Sequence, residues 1–232
     1  AWTFPAIKAT GGTGTLSYSI ATDHDSISVN SSTGQISVTD QIPVGSYTVT
    51  LFATDALSET GSVQVTVVIN SLMTFNAQDS ITTTQGLARS SNPISVSGGT
   101  APKVFSITGG PHVTINSSSG VVTVGVGQAS GTYVETITIT DSVGATAQDT
   151  ITIYVNSALN LVQGSNITTT VGRSDSSTPF TATGGTGTRT FSISGSNPGI
   201  YIDESGKVFV LETATPGIFQ ETVSVTDQLG VT

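Results

Sequence analysis

One eleven-residue pattern stands three times in the chain, 86 residues apart. It reads G-S-Y-T-V-T-L-F-A-T-D at Gly45–Asp55, G-T-Y-V-E-T-I-T-I-T-D at Gly131–Asp141 and G-I-F-Q-E-T-V-S-V-T-D at Gly217–Asp227. A fixed period of this length is the signature of a repeat architecture and constrains the fold before any motif is read. Each pattern opens on a glycine turn, passes an aromatic residue and alternating side chains, and closes on an acidic turn. Side chains two apart share one face of a strand, so alternation predicts a strand with one buried face. In the first pattern that face carries Tyr47, Val49, Leu51 and Ala53.

A unit of this length is close to the ~100 residues of an immunoglobulin sandwich, and seven strands would each take about 12 residues with their turn. The chain is therefore expected to be all-β: three tandem immunoglobulin-like, Greek-key β-sandwiches in an extended rod, over 1–70, 71–156 and 157–232. Within the first, Trp2–Ala9 reads as a short strand, and Asn30-Ser31-Ser32-Thr33-Gly34 as a turn. Val63, Val65, Val67 and Ile69 share a face of the closing strand. Ser80–Gly86 (S-I-T-T-T-Q-G) recurs as Asn166–Gly172 (N-I-T-T-T-V-G) and reads as an opening strand, since threonine suits a half-exposed pleat. The first unit has no counterpart of it, and the third stops where its closing strand should begin. Incomplete sandwiches leave edges bare. Either flanking sequence completes them, or neighbouring copies do so by strand complementation, with Phe4–Ala9 and Phe219–Thr226 as the assembly edges.

Composition narrows the function. Six Lys and Arg stand against 15 Asp and Glu, a net charge of −9, so no basic stripe exists for nucleic acid or an anionic membrane. With no cysteine, disulfides, thiolate metal sites and cysteine nucleophiles are excluded. No apolar run is long enough to span a bilayer as a helix. A Ser- and Thr-rich, cysteine-free β array points to a prokaryotic or viral exterior. The chain opens on Ala1 without a signal peptide and reads as a mature product or a piece of something longer.

The pattern resembles the putative-immunoglobulin and cadherin-like repeats carried in tandem by large prokaryotic surface proteins. The residues that carry it are the Gly-Gly-Thr before Tyr18-Ser-Ile20 and Phe105-Ser-Ile107, the Asn-Ser-Gly turn, the G-x-Y…T-D strand and the closing valine strand. The resemblance implies a stalk, adhesive arm or spacer, and supplies no activity by itself. Cadherin joints are held by calcium on clustered acids, whereas the joints here carry Asn70-Ser71 and Asn156-Ser157.

Candidate sites each have two readings. Asp55, Asp141 and Asp227 are turn-forming residues that bond their own backbone, or calcium ligands at a joint. Calcium wants 6–8 oxygens, and only two or three gather near any one turn. Asp23 and Asp25 flank His24 as a solvated loop, or as two acids on one strand face that hold a metal. Glu135 and Glu221 fall on the buried parity, where an unpaired carboxylate is costly; either the strand bulges there or the position lies at the open end of the sandwich, and exposure is expected. Asn30, Asn116 and Asn166 match the glycosylation acceptor.

The expected function is a non-catalytic structural or adhesive segment of an extracellular surface protein or appendage, with no cofactor apart from that calcium. Its partners would be neighbouring repeats, other copies, a host surface or a glycan. Alternatives are a virion decoration or fibre protein, and a carbohydrate-binding accessory of a secreted enzyme that uses Trp2 or Tyr201.

Overall fold

The computed structural model describes residues 2–195 and 197–232. The chain divides into two compact units, Ala1–Leu72 with Gly98–Thr100, and Met73–Ser97 with Ala101–Thr232. Among the described residues there is no helix, hence none long and apolar enough to cross a membrane.

The first unit holds β1 (Trp2–Thr3), β2 (Ser17–Ala21), β3 (Ile27–Val29), β4 (Ile36–Val38), β5 (Gly45–Thr54) and β6 (Thr60–Ile69). They form two sheets, β2-β5-β6 and β1-β4-β3. Alternation along β5 puts Val49 and Leu51 inward, while Ser46 and Thr48 face solvent. Ile27, Ile36, Val38, Val49 and Val67 make the core between the sheets, each contributing about 1.5–3 kcal/mol by leaving water.

The second unit opens with β7 (Thr74–Phe75), β8 (Ser80–Thr84), β9 (Arg89–Ser90), β10 (Val96–Ser97) and β11 (Lys103–Ile107). It continues with β12 (Val113–Ile115), β13 (Val122–Val124), β14 (Gly131–Asp141) and β15 (Thr146–Asn156). One sheet runs β11-β14-β15-β8 and the other β12-β13-β9. The chain leaves the first sheet after β11, crosses to the second for β12 and β13, and returns as β14, which is a Greek-key path. Ile81, Phe105, Ile137, Ile139, Ile151 and Ile153 from one sheet meet Val113, Val122 and Val124 from the other. This is an immunoglobulin-like sandwich. The β8–β15 pairing is parallel, Thr152 against Ser80 through Asn156 against Thr84.

The rest of this unit holds β16 (Asn160–Val162), β17 (Asp175–Ser176), β18 (Thr181–Thr183), β19 (Arg189–Ser194), β20 (Ile200–Ile202), β21 (Val208–Val210) and β22 (Thr222–Asp227). Its sheets are β16-β18, β17-β21-β20 and β19-β22.

The glycine and aromatic spacing now has a cause. The turn at Asn116 is closed by its Oδ1, which accepts the Ser118 and Ser119 N–H groups at 3.0 and 2.9 Å. It ends on Gly120 at φ 69°. A Cβ there would sit 2.8 Å from the Phe105 ring. The aromatic of the Phe-Ser-Ile strand thus lies on the turn glycine, and only glycine fits both the conformation and the gap.

Three expectations change. The strand expected over Trp2–Ala9 is only β1, because Pro5 has no N–H for a ladder; isolated bonds continue it, Phe4 N–H to Ile36 O at 3.0 Å and Ile7 N–H to Gly34 O at 3.4 Å. The strand expected over Gly217–Asp227 is ordered as a ladder only from Thr222. In β14, the half before Ile137 has its ladder with β15 alone, beside a bond from Thr108 N–H to Thr136 O at 3.1 Å, and β22 has no such second ladder partner among the described residues. For the same reason Asn166–Gly172 forms no ladder, whereas Ser80–Thr84 does.

Candidate functional site

Each strand with the eleven-residue pattern ends in a tight turn, and its aspartate is placed to satisfy that turn's N–H groups. Asp55 Oδ1 accepts the Leu57 and Glu59 N–H groups, both at 2.9 Å. Asp141 Oδ1 accepts those of Val143 and Ala145 at 3.0 and 2.8 Å. Asp227 Oδ1 accepts those of Leu229 and Val231 at 2.9 and 3.0 Å. The other oxygen reaches the Gly-Gly-Thr loop. Asp55 Oδ2 accepts the Thr13 N–H at 2.8 Å, and Asp227 Oδ2 accepts the Thr186 N–H at 2.8 Å.

These bonds act on the carboxyl groups. The Thr13 N–H, with those of Glu59 and Leu57, holds Asp55 below the usual carboxylate range. Burial pushes Asp227 up, but the Thr84 hydroxyl and the Thr186, Val231 and Leu229 N–H groups outweigh it and bring it below that range.

At Asp227 the turn also meets the end of β8. Thr84 ends β8 and is fully buried. Its hydroxyl donates to Asp227 Oδ2 at 2.6 Å, so its proton is spent. The Thr186 hydroxyl, 2.7 Å away, must then donate to Thr84 Oγ1. Thr186 in turn accepts the Asn156 side-chain N–H at 2.8 Å. The relay runs one way, from amide to hydroxyl to hydroxyl to carboxylate, and such chains strengthen each member. All four residues lie in the second unit. The amide step recurs in the first unit, where Asn70 Nδ2 donates to Thr100 Oγ1 at 2.9 Å.

Sequence reasoning singled out the aspartates and the Asn-Ser joints but not Thr84 or Thr186. The signal was present: both threonines belong to segments that recur at the long period.

The other candidates are dispersed. Asp23 and Asp25 are exposed around the turn before β3, and His24 sets its ring edge-on to Tyr47 at 5.3 Å. Among the described residues, no group of three or more His, Asp or Glu side chains could hold a metal ion. Of the expected assembly edges, Ala9 N–H donates to the Tyr18 hydroxyl at 3.2 Å, Phe4 is bonded as above, and Thr226 pairs with Thr190. Phe219 lines a groove of about 590 Å³ with Phe180, Ile193, Val208 and Ile218. Glu135 is half-buried and accepts the Thr108 hydroxyl at 2.7 Å. Glu221 Oε2 is buried with no partner among the described residues. Trp2 and Tyr201 are 54% and 43% exposed, and Tyr201 stacks on Phe209.

No protein-family model matches the chain, and no curated protein does. Solved structures do. Extracellular domains 3–5 of Drosophila OTK align over 94% of this chain and 82% of theirs, at 11% identity and a TM-score of 0.41. The human desmocollin-1 ectodomain aligns over 97% of this chain and 58% of its own, at 13% identity and 0.37. A C-terminal 282-residue fragment of intimin, solved with the intimin-binding domain of the translocated intimin receptor, aligns over 69% and 58%, at 17% identity and 0.40.

Proposed function

We propose that the chain is a non-catalytic structural and adhesive segment of an extracellular surface protein or appendage. In this reading the sandwiches over 1–70, 71–156 and 157–232 stack as a stalk or fibre. The observation that carries it is the recurrence, one period apart, of the Asn-to-Thr bonds Asn70–Thr100 and Asn156–Thr186. Side chains spent on holding one repeat to the next serve mechanical continuity. A virion fibre would use the same device for the same reason.

Single-molecule extension of the chain tests this. Discrete unfolding events are expected, with a contour gain for a complete repeat on the order of 300 Å, from about 3.6 Å per residue. Smooth extension without force peaks would overturn the stalk reading.

A further inference from the structure

One sheet of each sequence repeat ends in the same hairpin. β3 pairs with β4, β12 with β13 and β20 with β21, and β3, β12 and β20 are each the last strand of their sheet. This edge recurs inside every repeat. The outward pair at the middle of the hairpin is Ser28 against Ser37 in the first, Thr114 against Thr123 in the second, and Tyr201 against Phe209 in the third. Two further positions change with it. Gln35 and Val121 give way to Lys207, and the turn asparagines Asn30 and Asn116 to Asp203.

The Tyr201 and Phe209 rings stack, with centres 5.1 Å apart and planes 11° from parallel. Stacking holds both rings in place before anything binds. Phe209 covers one face of the Tyr201 ring, and 43% exposure leaves the opposite face to solvent. The Lys207 ammonium lies 5.4 Å from the Phe209 ring centre. Asp203 Oδ1 accepts the Ser205 N–H, the Ser205 hydroxyl and the Lys207 N–H at 2.9, 2.6 and 2.9 Å. Asp203 Oδ2, the Lys207 ammonium and the Tyr201 hydroxyl bond no protein group among the described residues. The Ser205 hydroxyl and the Lys207 N–H hold the Asp203 carboxyl below the usual range, so it is an acceptor at neutral pH. A pair that only held the hairpin together would need neither the open ring face nor these unengaged groups.

We infer that this face binds a neutral carbohydrate, with a pyranose ring stacked on Tyr201 and its hydroxyls bonded by Lys207 and Asp203. One face of a pyranose ring presents C–H groups, which suit the negative face of an aromatic ring. A carboxylate and an ammonium side by side accept from one sugar hydroxyl and donate to its neighbour. Asp203, Glu204 and the net charge of −9 turn acidic glycans away. A protein partner would need about 800 Å² of surface, and two aromatic side chains offer at most about 500 Å² even when wholly bare. The inference does not rest on the stalk reading; a smooth extension curve would leave it standing.

The probes are neutral oligosaccharides of glucose, galactose, mannose and N-acetylglucosamine on an array, with sialylated and sulfated ones beside them. The unmutated chain is expected to retain at least one neutral probe, whose affinity isothermal titration then measures. Tyr201→Thr with Phe209→Thr installs the pair that the second repeat carries, so the hairpin keeps its ladder. With circular dichroism unchanged, it is expected to weaken binding at least about tenfold. Tyr201→Phe keeps the ring and is expected to stay within about threefold. Asp203→Asn keeps the turn, as Asn116 does in the second repeat, and is expected to cost about tenfold through the lost acceptor. Retention of no neutral probe, equal binding by the doubly substituted chain, or preference for sialylated or sulfated probes would overturn the inference. So would a lower sedimenting mass for the doubly substituted chain than for the unmutated one, which would give the face to a second copy.

Discussion

Asp227 shows how the chain's own donors engage a candidate metal ligand. A carboxylate offers about four lone-pair positions. Its Oδ1 takes two N–H groups, and its Oδ2 takes one N–H and one hydroxyl. Asp55 differs by one, since no threonine hydroxyl among the described residues reaches its Oδ2. The folded-state value of Asp227 lies below its ordinary one. The stability it contributes is therefore present above the unfolded value of about 3.9 and lost as pH falls through the lower folded value. Asp227→Asn sets an amide N–H where two donors point, with an expected cost of about 1.5–3 kcal/mol at pH 7. Melting curves should show the gap between wild type and variant closing as pH falls from the unfolded value through the lower folded one. In the same assay at pH 7, millimolar calcium should leave the wild-type midpoint unchanged; an upward shift would assign a metal to these turns. The aspartates were legible from their recurrence. Thr84 was not, because a threonine in T-T-T looks like surface until Thr186 and Asp227 cover it.

At the scale of strands, parity along β5, β14 and β22 was readable, since period-two alternation reports the buried face directly. The parallel seat of β8 on β15 was not, because parallel partners leave no hairpin signal. The acidic turn carries one local irregularity. Gly144 and Gly230 hold positive φ at 85° and 84°, and Ser58 holds the same place at 70°. It is the one non-glycine residue with positive φ among the described residues. A side chain in that region costs about 1–2 kcal/mol, partly offset by the unfolded-state freedom that glycine would add. Ser58→Gly is expected to stabilise the first unit by roughly 0.5–1 kcal/mol, read from the denaturant midpoint with the slope unchanged.

For the whole molecule, the long period in the sequence pointed to repetition, but compactness follows backbone and side-chain contacts rather than the period. Gly98–Thr100 cluster with Ala1–Leu72 because Ser71 O accepts the Gly99 N–H at 2.8 Å and Asn70 reaches Thr100. Repeat chains hold together as a sum of unit stabilities and nearest-neighbour terms. Thr84→Val strips one hydroxyl from the relay and leaves Asp227 and Thr186 each short of a bond, at an expected cost of about 1–3 kcal/mol. Hydrogen exchange should show amides of β19 and β22 opening more readily, with those of β5 and β6 unmoved. Equal loosening of both sets would mean the relay is not a local fastener.

The placement of Asn156 and Thr186 has a genetic corollary. A stretch of one period contains the amide that reaches forward and the hydroxyl that receives it from behind. Duplicating or deleting such a stretch rejoins matching halves at the seam, so length can drift by whole units with no second mutation to repair the break.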